Sequence, residues 1–248
     1  MPMDGKVAIV TGAAAGLGRS VARCYAKRGA RVVVADINDE KGEETVRLIT
    51  DAGGTASFRH ADSSSLEENE ALVAFARETY GKLDIACNNA GIAPPSTPLA
   101  EVSAELWRRT LSIDLDGVFF GIKAQIPAML DNGGGTIVNM ASILGQVGFL
   151  GLGPYVAAKH AVVGLTKQIA VDYAAQGIRA ISIGPAFIKT GLEAALDEKS
   201  RAELDSSHPV GRMGEPDEVG EVVAAVSESS WSFVNGAYIP VDGGYLSR

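Results

Sequence analysis

Lys6-Val7-Ala8-Ile9-Val10-Thr11-Gly12-Ala13-Ala14-Ala15-Gly16-Leu17-Gly18 is the stretch on which the fold turns. It opens on a short apolar run, the pattern of a buried strand. After Gly18, Arg19-Ser20-Val21-Ala22-Arg23-Cys24-Tyr25-Ala26-Lys27-Arg28 has helical spacing and stops at Gly29, a natural C-cap. Strand, glycine turn and helix together make a phosphate cradle. Small residues let the backbone approach a pyrophosphate, and the helix start offers free N–H groups and a positive dipole end. The spacing is Gly-x-x-x-Gly-x-Gly rather than Gly-x-Gly-x-x-Gly. A plain tight turn is the competing explanation, and the flanking strand and helix weigh against it.

The next strand, Arg31-Val32-Val33-Val34-Ala35-Asp36, ends in an acid 18 residues past Gly18. A carboxylate there accepts from the adenosine ribose hydroxyls and repels a 2′-phosphate. Ile37, Asn38 and Asp39 follow without an Arg or Lys, and Ala15 in the turn is uncharged. These features favour NAD (NADH) over NADP; the bland alternative is that Asp36 caps the next helix. Further strands are expected near 57–61, 83–87, 136–140, 179–183 and 237–241. Helices are expected between them, near 40–52, 66–80, 104–130, 155–176 and 216–227. This alternation predicts an α/β fold, a three-layer Rossmann-type doubly wound parallel sheet in a single domain spanning 1–248. The cofactor is expected across the carboxyl ends of the strands.

Two later features carry chemistry. In Tyr155-Val156-Ala157-Ala158-Lys159 the phenol and the amine fall four residues apart, on one face of a helix. A cation beside a phenol stabilises the phenolate: unit charges ~4 Å apart interact by roughly 4 kcal/mol at an effective dielectric of ~20. A phenol so tuned serves as a general acid or base. Ser142, 13 residues earlier, follows the strand run Thr136-Ile137-Val138-Asn139-Met140-Ala141. A serine at a strand end donates to a carbonyl oxygen as negative charge builds there. Taken singly, the Tyr-Lys pair fits a solvated helix face and Ser142 a loop serine.

Taken together, these segments resemble the short-chain dehydrogenase/reductase family, from about Lys6 to Gly244. The motifs are Thr-Gly-x-x-x-Gly-x-Gly at 11–18, Asn88-Asn89-Ala90-Gly91, Ser142, Tyr155-x-x-x-Lys159 and Val241-Asp242-Gly243-Gly244. The resemblance implies that Tyr155 exchanges a proton with the substrate oxygen, that Lys159 holds the nicotinamide ribose and tunes Tyr155, and that Ser142 positions the carbonyl. It gives Gly12, Gly16, Leu17 and Gly18 to the cofactor phosphates, Asp62 and Ser63 to the adenine, and Asn89 to the adenosine ribose. Ile188 and Thr190 match the residues that hold the nicotinamide carboxamide. It also implies a homotetramer built on the helices at 104–130 and 155–176 and on the segment at 237–245.

Three positions depart from the family pattern. Asp114, in Ile113-Asp114-Leu115, stands where the family has a catalytic asparagine. It keeps the backbone carbonyl, loses the side-chain donor and adds a negative charge near Lys159, favouring the ammonium and weakening its pull on Tyr155. The expectation is a proton relay that survives with altered pH dependence or reduced rate. Ile181 replaces an asparagine and Ala186 a glycine; if that glycine needs positive φ, Ala186 is strained.

The loop Ile143-Leu144-Gly145-Gln146-Val147-Gly148-Phe149-Leu150-Gly151-Leu152-Gly153 lines the substrate pocket in the family. Leu144, Gln146, Phe149 and Phe187 are therefore candidate substrate contacts beside Ser142 and Tyr155. The loop is largely apolar and carries no Arg or Lys. An uncharged ketone or secondary alcohol fits it better than an acyl-carrier thioester, although some of these side chains fit a subunit interface as well. Pro94, Pro95 and a variable segment at 192–204, within a substrate loop at about 186–210, are expected to close the pocket as a lid. The expected activity is an NAD(H)-dependent ketone reductase or secondary-alcohol dehydrogenase. A cis-diol or sugar dehydrogenase and a weakly active cofactor-binding protein are the alternatives.

Bulk properties narrow the class. A chain of 248 residues with 46% hydrophobic residues can bury a large core. A formal charge of −8 disfavours nonspecific nucleic-acid binding. Cys24 and Cys87 have no metal-like spacing, which suggests a reducing compartment. His60, His160 and His208 are scattered, so no metal is expected. No leader is visible before the first strand and no apolar run is long enough for a membrane span, so a cytoplasmic protein is expected.

Overall fold

β1 (Val7–Thr11) is buried along its whole length, yet its side chains part with a period of two. Ala8 and Val10 join one apolar layer, Val7 and Ile9 the other. β2 (Arg31–Asp36) divides the same way, Val32 and Val34 against Val33 and Ala35. Strands buried on both faces belong in a parallel sheet covered on both sides. The computed structural model, which describes residues 1–191 and 197–247, has such a sheet. β1 and β2 are joined by β3 (Thr55–His60), β4 (Ile85–Asn88), β5 (Gly135–Met140), β6 (Ile178–Pro185) and β7 (Ala237–Val241). The strands lie in the order β3-β2-β1-β4-β5-β6-β7, every pairing parallel.

α1 (Gly16–Lys27), α2 (Asp39–Asp51) and α8 (Pro216–Ser227) cover one face, burying Val21, Tyr25, Ile49, Val219 and Val223. α3 (Leu66–Tyr80), α5 (Gly117–Leu130) and α6 (Gly153–Tyr173) cover the other, with Leu72, Ile122, Ile126 and Val162. The expected α/β architecture is present. Strand order reverses at β1, between β2 and β4, and the crevice outside their carboxyl ends is where such sheets hold ligands.

Two expectations need correction. The helix expected over 104–130 is not continuous. It comprises α4 (Ala104–Leu111), a π-helical turn at Ser112–Asp116, and α5. The Gly117 N–H reaches back five residues to the Ser112 carbonyl, so the turn holds one residue more than an α-helix, and Asp114 is turned into the interior, fully buried. Ala186 is not strained through positive φ: among the described residues no non-glycine residue has one. Its N–H donates to the Val241 carbonyl at 3.2 Å, prolonging the β6–β7 ladder. Ile181 is a core residue, paired with Val138 and Ala237. Of the expected lid, 192–196 lie outside the described residues; α7 (Glu198–Ser206) follows, capped by the Asp197 carboxylate.

Candidate active site

The glycine turn is shaped by backbone that only glycine tolerates. Gly12 and Gly16 have φ of +62° and +52°. A Cβ on Gly18 would overlap the Gly12 carbonyl, and one on Gly16 would lie 3.2 Å from Thr190 Cβ. Ala15, the N-cap of α1, supplies no side-chain cap, and the first turn holds no acid. The leading N–H groups of α1 are free at a turn where Gly12, Gly16 and Gly18 carry no β-carbon, which fits a dinucleotide pyrophosphate. Leu17 packs onto the core below.

Thr11 fastens this turn to β4. Its hydroxyl accepts from the Asn89 and Ala90 N–H groups at 3.0 and 3.1 Å, while Asn89 Nδ2 donates to the Thr11 and Gly12 carbonyls at 2.9 and 3.2 Å. Asp36 fastens the other side, accepting from the Ala14 N–H at 2.9 Å and the Asn38 N–H at 2.9 Å. α2 is capped by Asn38, which accepts from the Lys41 N–H, so the helix-cap reading of Asp36 falls away. Arg19, the cation at this turn, is already engaged by Glu44 at 2.6 Å, the Ala14 carbonyl at 2.6 Å and Thr45 Oγ1 at 3.0 Å. Asp62 and Ser63 form the turn after β3. Asp62 Oδ1 accepts from the Ser64 N–H and hydroxyl, and the Ser63 carbonyl accepts from Asn69 Nδ2.

Across the crevice, α6 carries Tyr155 and Lys159. The Lys159 ammonium sits 5.3 Å from the Tyr155 ring centroid, donates to the Met140 carbonyl at 3.0 Å and is only 3% exposed. Tyr155 is half-buried. Ser142 leaves β5 in extended backbone and caps the short turn Ile143–Gly145, its hydroxyl accepting from the Leu144 N–H at 3.1 Å. The Tyr238 hydroxyl donates to the Ser142 carbonyl at 3.0 Å. Gly145 lets this turn lie on α6, because a Cβ there would come within 2.9 Å of the Lys159 carbonyl oxygen.

Asp114 Oδ1 stands 3.7 Å from Lys159 Nζ and accepts from the Ile92 N–H at 3.0 Å; Oδ2 is buried without a hydrogen-bond partner among the described residues. Burial raises its pKa above the usual carboxylate range, partly opposed by the charge of Lys159 and by the Ile92 N–H. The carboxyl expected beside Lys159 is there. Gly91 is needed for this contact, since a Cβ on it would overlap Asp114 Oδ1.

The segment after β6 runs back to the glycine turn. Ile188 bridges to Gly214 and packs on the core, and Thr190 reaches Gly16. Of the candidate substrate contacts, Leu144 is buried, Gln146 is exposed, and Phe149 leans on Phe187 with ring centroids 5.6 Å apart. Pro94 is buried and Pro95 exposed. Phe187 also touches His208, which belongs to no motif, and Tyr245, which falls in the expected interface segment at 237–245 rather than the substrate pocket. No local motif marks them, because they meet Phe187 only through the fold. Thr11 was quoted within a motif but given no role; its place at a strand end opposite the Asn88-Asn89 pair was the available signal.

A family model described as enoyl-(acyl carrier protein) reductase matches residues 12–246. The chain is 44% identical over 245 residues to cyclohexanol dehydrogenase of Acinetobacter sp. (strain SE19), covering 99% of this chain and 96% of that one. It is 42% identical over 242 residues to cis-4-hydroxycyclohexanecarboxylate dehydrogenase of Sinomonas cyclohexanicum, covering 98% and 97%. A crystal structure from Sinorhizobium meliloti 1021, provisionally described as a short-chain alcohol dehydrogenase, superposes with a TM-score of 0.94 at 34% identity, covering 98% and 97%.

Proposed function

The chain belongs to the short-chain dehydrogenase/reductase family of oxidoreductases, and we propose that it interconverts a cyclic secondary alcohol and its ketone with NAD(H). One observation carries the reading. A Tyr-Lys pair sits on α6 beside the Ser142 turn, across the crevice from a glycine turn in which a β-carbon at Gly12 or Gly18 would overlap its neighbours. Relatives named for cyclohexanol and for a hydroxycyclohexane acid support an alicyclic substrate. The absence of Arg and Lys from 143–153 favours the uncharged ring over the acid.

When bound, the nicotinamide supplies the hydride acceptor or donor. The remaining roles belong to the chain. Gly12, Gly16, Leu17 and Gly18 take the phosphates, Asp36 the adenosine ribose, Asp62 and Ser63 the adenine, and Asn89 lies against the ribose. Ile188 and Thr190 hold the carboxamide end. The carboxylate of Asp36 and the pairing of Arg19 with Glu44 leave this side of the cradle ill suited to a 2′-phosphate, which supports NAD over NADP. In the oxidative direction Ser142 donates to the substrate oxygen and Tyr155 takes the hydroxyl proton. Lys159 stabilises the Tyr155 phenolate that accepts this proton and becomes the neutral phenol, while Asp114 and the Met140 carbonyl hold the ammonium. Leu144, Gln146, Phe149 and Phe187 frame the ring. Half-exposed Trp107 and Phe119 on α4 and α5 and exposed Val171 on α6 support a homotetramer through those helices.

The test is NADH absorbance with cyclohexanol and cyclohexanone, beside polyols, dihydrodiols and cis-4-hydroxycyclohexanecarboxylate. Turnover of the uncharged ring with NAD in preference to NADP is expected. Tight NADH binding with no turnover of any member would overturn the reading in favour of a cofactor-binding protein.

A further inference from the structure

His208 belongs to none of the motifs above and is only 3% exposed. Its ring meets Phe187 edge-on, centroids 5.8 Å apart at an interplanar angle of 90°, and meets Tyr245 at 5.8 Å. On another edge, Nδ1 lies 2.8 Å from the Leu204 carbonyl inside α7 and 3.3 Å from Ser207 Oγ. A carbonyl only accepts, so this geometry assigns the proton to Nδ1. Nε2 is then the bare nitrogen, and it is buried with no hydrogen bond among the described residues. A phenylalanine would fill similar space without stranding a polar atom, so the tether to Leu204 is what an imidazole adds here. The base of the brace is fixed as well. The Gly211 N–H donates to the His208 carbonyl at 2.8 Å, the Met213 N–H to Asp205 Oδ1 at 2.7 Å, and the Val210 N–H to the Gly243 carbonyl at 3.3 Å.

We propose that His208 is a positioning residue that couples the lid helix α7 to Phe187, so that the lid and the aromatic wall of the substrate pocket move as one body. This rests on the reading of 186–210 as the substrate segment. The imidazole holds α7 through Nδ1 and backs Phe187 with its ring edge. Phe187 passes that support on to Phe149 through their own contact. Loss of the brace lets both the helix and the wall drift, weakening substrate capture without touching the Tyr155–Lys159 pair or the glycine turn.

Two readouts test this. Limited trypsinolysis after Lys199 and Arg201 reports on the tether of α7 and needs no substrate. In His208→Ala, cleavage is expected to accelerate by about fivefold, the loss of one hydrogen bond. KM for cyclohexanol is expected to rise by a similar factor, about fivefold, while kcat and the NADH Kd stay within about threefold. His208→Asn keeps a donor near Nδ1 and is expected to restore resistance to trypsin; His208→Phe keeps the ring and is expected to be cleaved fast. If the Ala variant does not fold, the Asn and Phe variants carry the test. Cleavage of Ala and Phe variants at the wild-type rate would overturn the proposal, as would an Asn variant cut as fast as Phe, or an unchanged KM in a folded Ala variant. Failure of the wild type to oxidise cyclohexanol would count against the dehydrogenase reading alone, and the cleavage rates would still decide the brace.

Discussion

Asp114 Oδ1 lies 3.7 Å from Lys159 Nζ, both side chains almost fully buried, with Oδ2 of the same carboxyl group unpaired among the described residues. The π turn creates the contact by pointing residue 114 inward, and Gly91 leaves room for it. Burial raises the carboxyl pKa in the folded state. Its contribution to stability is therefore fully present below the unfolded value and is lost as pH rises through the folded one. Asp114→Asn removes that loss. The variant is expected to be more stable at neutral pH by about 1 kcal/mol, or about 2–4 °C in Tm, with the gap closing as the solution is made acidic. Melting curves across pH check the sign. A gap that widened in acid would refute it.

The same substitution bears on catalysis. In the proposed relay a carboxylate at 114, 3.7 Å from Lys159 Nζ, competes with Tyr155 for the lysine charge. Asp114→Asn is expected to displace the pH–rate profile or raise the rate, because the lysine charge is then shared with Tyr155 alone. An identical profile and rate would mean that residue 114 acts only through its backbone.

Tyr155→Phe removes the group assigned to the proton. Loss of general acid–base catalysis is expected to lower kcat by about 10²–10⁴-fold. The NADH Kd is expected to change little, since the phenol hydroxyl lies outside the glycine cradle. Steady-state rates alongside NADH fluorescence titration separate the two effects, and a variant with wild-type turnover would remove Tyr155 from the chemistry.

How far the sequence was legible follows from what each signal depends on. The strand and helix periods of β1, β2 and α1 come from burial on two faces or on one stripe, so they read directly, and the glycine turn reads because its shape needs glycine at 12, 16 and 18. α3 and α8 begin at capping signals, Ser65 and Pro216, and their bounds were anticipated. The π turn was hidden, because 104–130 keeps a helical apolar pattern while gaining one residue of register at Ser112–Asp116. Ala186 looked strained only on the premise that its position needs positive φ. The contacts of His208 and Tyr245 with Phe187 were invisible, because the sheet topology brings these residues there from segments about 20 to 60 residues away.

Asp36 offers a test of cofactor choice. Asp36→Asn keeps an acceptor for the Ala14 or Asn38 N–H and removes the charge. The ratio of kcat/KM for NAD over NADP is expected to fall by about tenfold, the effect of about 1.4 kcal/mol of relieved repulsion. Measuring both cofactors in one assay checks it. An unchanged ratio would take the discrimination away from this carboxylate.

A buried polar chain links the sheet to α6 below the site. Asn88 and Gln125 exchange hydrogen bonds at 3.2 and 2.7 Å, Asn88 Nδ2 also donates to Asn139 Oδ1 at 2.9 Å, and Asn139 Nδ2 donates to Thr166 Oγ1 at 2.9 Å. Thr166 closes the chain by donating to the Val162 carbonyl at 2.8 Å, so its hydroxyl is the acceptor that satisfies Asn139. Thr166→Val keeps the volume and strands the Asn139 amide in a site with no exposure. The cost is expected to be about 1–3 kcal/mol, read as a drop of several degrees in Tm. Thr166→Ser keeps the hydroxyl and should recover most of it, because the remaining deficit is one buried methyl of about 0.8 kcal/mol. If Val were as stable as wild type, the polar chain would be no constraint on α6, and the position of Lys159 would have to be credited to the apolar packing of Val162 and Val163 instead.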